Sequence, residues 1–130
     1  FDMPTEFEIV KKGEEIPQNS DKIICYDLAN LSGEIIEGIE SGITGKASAE
    51  NIETAVSLCL EKQIDAVATA PISKKALSMA GYAFPGHTEM LAHLTETKDY
   101  AMSFFAGDLC VVLLSTHVSL REAISLIKKE

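Results

Sequence analysis

The spacing of apolar positions changes several times along the chain, and each change marks an expected element. Phe7-Glu8-Ile9-Val10 alternates apolar and polar side chains, as a half-buried strand does. Lys11 to Glu15 reads as a turn around Gly13, and Lys22 to Leu28 as a second short strand. From Asn30 to Lys46 the glycines at 33, 38, 42 and 45 interrupt any long element, leaving room for a short strand or turn at Glu34 to Ile39. After Gly45 the spacing lengthens. Ile52, Val56, Cys59 and Leu60 then share one face of a helix that Ser48 can cap and that ends near Lys62. Ile64 to Thr69 is expected as a buried strand, stopped by Pro71, which has no amide hydrogen for a ladder.

Ser73 can cap a short helix running to Met79, and Gly81 closes it. Pro85-Gly86 breaks the chain again before a helix from Thr88 to Leu94. Tyr100 to Ala106 and Leu109 to Ser115 are apolar runs joined by Gly107-Asp108, the pattern of an antiparallel hairpin. Ser119-Leu120-Arg121-Glu122 is a capping box, with Leu120, Ile124 and Ile127 on one face of the helix behind it. A helix feeding a strand through a short link is the mark of layered α/β structure, so residues 1–130 are expected to form a single α/β domain with a mixed sheet.

Composition narrows the class without naming it. At 130 residues, 46% hydrophobic and 24% charged, the chain can bury a core and is not of disordered type. The apolar run Leu109 to Leu114 is too short to span a bilayer, and Phe1-Asp2-Met3-Pro4 has none of the features of a signal peptide. A cytoplasmic protein is the expectation, and the absence of an initial Met suggests that the natural chain starts earlier. The net charge of −9 argues against a nucleic-acid partner, since Lys11-Lys12, Lys74-Lys75 and Lys128-Lys129 are isolated pairs among acids. A small anionic substrate stays open, because a pocket can be positive on an acidic surface. Cys25, Cys59 and Cys110 form no CxxC pair and read as reduced, packed thiols.

Three strand-to-helix junctions carry the candidate chemistry, because α/β proteins place ligands at such loops. At Thr69-Ala70-Pro71-Ile72-Ser73-Lys74 the helix start and a lysine could favour an anion; a cap serine beside a solvated lysine accounts for the same residues. At Pro85-Gly86-His87-Thr88-Glu89 glycine allows close approach while His87 and Thr88 supply polar groups; Thr88 as a cap and His87 as packing is the alternative. At Ser115-Thr116-His117-Val118-Ser119 a rigid mount suits His117 as metal ligand or general base, although a lone histidine is more often structural. His93 lacks such a mount and reads as surface or packing. No complete metal site, nucleophile elbow or Gly-x-Gly-x-x-Gly fingerprint is visible.

Four blocks in order nevertheless resemble the 4-hydroxythreonine-4-phosphate dehydrogenase family of vitamin B6 biosynthesis. They are Gly45-Lys46-Ala47-Ser48, Asp65 to Lys74, Pro85-Gly86-His87-Thr88-Glu89, and Ser115 to Arg121. The resemblance implies a three-layer α/β/α fold of the isocitrate and isopropylmalate dehydrogenase type, of which this chain would be the central domain. It implies a homodimer with its active site at the subunit interface. It further implies oxidation of 4-phosphohydroxy-L-threonine by NAD or NADP, then decarboxylation, with a divalent metal (zinc, or magnesium or cobalt) assisting. By the same resemblance His87 and Thr88 contact the phosphorylated hydroxy-acid substrate, and His117 is one of three metal-binding histidines.

The departures set the limits of that expectation. The family's Gly-Asp-Pro-Ala-Gly-Ile-Gly segment is absent, Ser73 stands where asparagine is usual, and Ser119 where proline is frequent. Two further metal histidines, the basic phosphate contacts and most of the nucleotide site are expected outside this chain, so that these 130 residues alone would lack the metal and the activity. Other readings are a dehydrogenase for threonate or erythronate phosphate, and a non-catalytic dimerisation or binding module. A phosphate acyltransferase-like protein shares the architecture, but the His87-Thr88 and His117 blocks argue against it.

Overall fold

The computed structural model describes residues 6–33, 35–116 and 118–128. The chain falls into two compact units, residues 1–96 and 97–130.

In the first unit, strands β1 (Phe7–Lys11) and β2 (Ile23–Asp27) pair in parallel, with Phe7 opposite Ile23 and Lys11 opposite Asp27. The connection between them turns at Gly13, whose φ of +91° is costly for any residue with a Cβ. The Gly13 amide donates to the Tyr26 hydroxyl at 2.8 Å, which ties the turn back onto β2.

Helix α1 (Gly42–Leu60) starts earlier than Ser48, the start that the spacing suggests. Ser41 is its cap: the Ser41 hydroxyl accepts from the Thr44 amide at 3.2 Å, and the Thr44 hydroxyl accepts from the Ser41 amide at 3.3 Å. Gly42 and Gly45, which interrupt the sequence pattern, lie inside this helix because they pack on α2 (Lys74–Met79). A Cβ at Gly45 would stand 1.9 Å from the carbonyl oxygen of Ala76, so only glycine admits this approach. Close packing here outweighs glycine's poor helix propensity of about 1 kcal/mol.

Ser73 caps α2 by accepting from the Ala76 amide at 3.0 Å, and Gly81 (φ +88°) ends the turn behind it. Helix α3 (His87–Leu94) follows Gly86. The core gathers Ala49, Ile52 and Val56 of α1, Leu77 of α2 and Met90 of α3, with Ile72, Tyr82 and Phe84 packed around it. Each large apolar side chain buried there contributes roughly 1.5–3 kcal/mol.

Two sequence expectations differ from the structure. Ile64–Thr69 is not a buried strand: it has no ladder partner among the described residues, and Asp65 to Thr69 are exposed. Apolar residues alone do not make a strand, since its amides need a neighbouring backbone to bond. The mixed sheet is likewise realised as two separate two-stranded sheets among the described residues, one parallel and one antiparallel.

The second unit holds the antiparallel sheet. Strands β3 (Ser103–Ala106) and β4 (Leu109–Val112) form the expected hairpin, turning at Gly107 (φ +58°) and Asp108. Helix α4 (Leu120–Leu126) begins with the expected capping box: Ser119 accepts from the Glu122 amide at 3.3 Å, and the Glu122 carboxylate accepts from the Ser119 amide at 3.0 Å. Among the described residues, no helix is long and apolar enough to cross a membrane.

Candidate functional site

A cleft of about 210 Å³ opens in the first unit between α1 and the segment 67–72. Ser48, Asn51, Ile52 and Ala55 line it from α1, a spacing that puts all four on one helical face. Thr69 and Pro71 stand on the opposite wall, and His87 completes the lining.

His87 is the first residue of α3, following Gly86, whose backbone is extended and which has no side chain to cap the helix. The histidine Nε2 is buried, and it has no hydrogen-bond partner among the described residues. Buried polar atoms in native proteins nearly always have a partner, so an orphan on a cleft wall is a candidate place for a water or ligand atom. Depending on its tautomer, Nε2 can donate or accept.

The other expected site residues are placed differently. Thr88 is half-buried in the first turn of α3 and does not line the cleft. His117 lies outside the described residues. His93 packs against Phe84 with ring centroids 5.3 Å apart, which agrees with its reading as a packing residue. Among the described residues, no three His, Cys, Asp or Glu side chains gather as metal ligands would.

The first two junctions meet in space. The Cε of Lys74 lies 3.9 Å from where a Cβ of Gly86 would stand, and a Glu89 carboxylate oxygen lies 3.5 Å from it. Nearby, the Ser73 hydroxyl donates to Glu40, and Lys75 pairs with Glu40 at 3.2 Å. The Ser73 bond, followed by Lys75, holds the Glu40 carboxyl below the usual carboxylate range. Ser73 and Lys75 are thus occupied by Glu40.

Of the polar residues of α1 that line the cleft, Ser48 belongs to the first of the four sequence blocks, whereas Asn51 is not singled out by any motif. Their three-residue spacing on the face shared with Ile52 and Ala55 was the available signal. A larger cleft, about 870 Å³, is elsewhere: it opens between residues 12–18 and the end of α1, among Glu14, Glu53 and Glu61. It is a wide surface hollow without an unpartnered buried group, and the smaller cleft at His87 is the better candidate.

An α/β unit that brings the buried, unpartnered Nε2 of His87 to a cleft beside a helix offers a candidate small-molecule site. Residues 2–130 match the model of the family described as pyridoxal phosphate biosynthetic protein PdxA, and the chain belongs to that family. It is 40% identical over 121 residues to a D-threonate 4-phosphate dehydrogenase of Cupriavidus necator, covering 93% of this chain and 36% of that protein. A D-threonate 4-phosphate dehydrogenase of Pectobacterium atrosepticum is 34% identical over 122 residues, covering 88% of this chain and 37% of its own length. Among solved structures, a 4-hydroxythreonine-4-phosphate dehydrogenase from Burkholderia phymatum superposes with a TM-score of 0.79 at 37% identity, over 92% of this chain and 37% of that one. The corresponding enzyme from Klebsiella pneumoniae gives 0.80 at 34% identity, again over 92% and 37%. The chain therefore spans little more than a third of the length of these relatives.

Proposed function

We propose that the full-length protein is a cytoplasmic NAD(P)-dependent dehydrogenase of a four-carbon hydroxy acid 4-phosphate, and that the cleft at His87 receives part of that substrate. The observation that carries the reading is the buried, unpartnered Nε2 of His87 on the cleft wall, in a chain of this family. Bound nicotinamide would accept the hydride, and a divalent metal such as zinc would acidify the reacting hydroxyl and polarise the resulting ketone. A ketone β to a carboxylate then loses carbon dioxide readily. His87 binds a substrate oxygen and orients it, and Thr88, outside the cleft lining, is proposed on the family resemblance alone as a contact to another part of the substrate. His117 is proposed as one metal ligand. The described residues do not assemble a metal site, so the remaining ligands are assigned to the rest of the protein, which acts as a homodimer with its site at the interface.

D-threonate 4-phosphate is the favoured substrate, since the curated relatives at 34% and 40% identity carry that activity in their names. 4-Phosphohydroxy-L-threonine is the second reading, favoured by the solved structures. The two compounds differ at C2, where one has a hydroxyl and the other an ammonium group. The test is turnover of each by the purified full-length protein with NAD and NADP, followed by nicotinamide absorbance. Higher kcat/KM on D-threonate 4-phosphate is expected, and no turnover of either compound overturns the proposal. His87→Ala should lower kcat/KM by roughly 100-fold, as loss of an orienting contact does. His117→Ala should lose metal content and turnover together; unchanged metal would sink the ligand role.

A further inference from the structure

Asn30, in the loop between β2 and α1, directs its amide nitrogen at three acceptors on α1. These are the Ala47 carbonyl at 3.2 Å, the Glu50 carboxylate at 3.0 Å and Oδ1 of Asn51 at 3.3 Å. A backbone carbonyl and a carboxylate can only accept, so the Asn30 atom facing them must be its nitrogen. Lys46 pairs with the other Glu50 oxygen at 3.7 Å. Asn51 meets Asn30 with its oxygen, in the longest of the three contacts, which orients its own amide. Its Nδ2 makes no hydrogen bond among the described residues, on an exposed side chain that lines both the cleft of His87 and a neighbouring hollow at Tyr26 and Leu58.

We propose that Asn51 is a specificity-determining residue, which presents an N–H donor to an oxygen of the substrate and so favours a C2 hydroxyl over a C2 ammonium group. The proposal rests on the dehydrogenase reading above. A hydroxyl can accept from Asn51, whereas an ammonium group only donates and leaves two donors facing each other. A free asparagine could turn its oxygen towards the ligand instead; the Asn30 contact holds that oxygen away. Sites built to bond one polar group discriminate strongly against its replacement.

The experiment compares kcat/KM for D-threonate 4-phosphate and 4-phosphohydroxy-L-threonine in the full-length protein and two variants. Asn51→Asp keeps an oxygen for Asn30 and replaces the donor with an acceptor of the same shape. It should lower the hydroxy-acid to amino-acid ratio by roughly tenfold or more. The new carboxylate repels the phosphate of both substrates but attracts the ammonium group of one, so the uncharged Asn51→Ala is the deciding variant. Asn51→Ala should bring the ratio towards unity without adding charge, and it supplies the answer if the aspartate variant does not fold. A wild-type ratio retained in the folded variants overturns the role of Asn51 while the dehydrogenase reading stands. A wild-type protein inactive on both compounds overturns that reading and this inference with it.

Discussion

Replacing Gly45 with alanine tests the packing on which the cleft depends. The new Cβ would sit 1.9 Å from the Ala76 oxygen, 2.3 Å from its carbonyl carbon and 2.9 Å from the Leu77 nitrogen. All three are backbone atoms, so no side-chain rotation relieves the clash. Ordinary carbon–oxygen contacts begin near roughly 3.3 Å, so α2 must retreat from α1 by more than about 1 Å. A gap of that size forfeits a quarter to a half of the dispersion contacts along the seam, including those of the fully buried Leu77. Overpacking of this kind costs about 3 kcal/mol, at the upper end of its usual range. Alanine's better helix propensity offsets about 1 kcal/mol, leaving a net loss of about 2 kcal/mol. Urea unfolding of the full-length protein, followed by far-ultraviolet circular dichroism, should show a midpoint lower by roughly 1 M at unchanged slope. Gly42→Ala is the internal control. Its Cβ would meet the Met79 oxygen at 3.1 Å, which a shift of a few tenths relieves, so a change within about 0.5 kcal/mol is expected. A Gly45→Ala protein as stable as wild type, or more so, would refute the close contact between α1 and α2. Because α2 begins directly after the cleft wall at 67–72, the variant should also lose activity.

Other perturbations address the core and the last helix. Leu77→Ala removes a fully buried side chain between α1 and α2 and should cost about 2–5 kcal/mol in the same urea assay; a loss below about 1 kcal/mol would mean the site collapses around the missing atoms. Bonds from the Ser119 side chain and then its backbone amide hold the Glu122 carboxyl below the usual carboxylate range. A lowered folded-state value stabilises the α4 cap above the ordinary glutamate range, and that stabilisation fades as pH falls through the lowered value. Titration of the Glu122 carboxyl carbon by nuclear magnetic resonance should give a midpoint below that of an exposed glutamate, and Ser119→Ala should bring it back; an ordinary midpoint in wild type would count against the capping box.

Local chemistry was easier to read from the sequence than pairing between distant segments. The caps at Ser73 and Ser119, the Gly107 turn and the Ile52 and Val56 part of the core face of α1 follow from spacing and side-chain type within a few residues, whereas Leu60 of the expected face is exposed. The start of α1 was missed because Gly42 and Gly45 look like breakers until the position of α2 is known. Ile64–Thr69 was misread because a strand is defined by its neighbours, which no local pattern reveals. For the site, His87 was legible as a polar residue at a glycine break. The orientation of Asn51 was not, since it depends on Asn30, far away along the chain.

The unpartnered Nε2 of His87 also links ligand binding to stability. A buried polar atom bonded to neither protein, water nor ligand costs a folded state about 1–3 kcal/mol relative to a satisfied one. A ligand that bonds to it recovers this amount only in the folded protein, so occupancy of the cleft should raise the melting temperature. An apolar residue in the same place would remove the cost and the recognition together. On the proposed reading, thermal stability measures whether the cleft is filled.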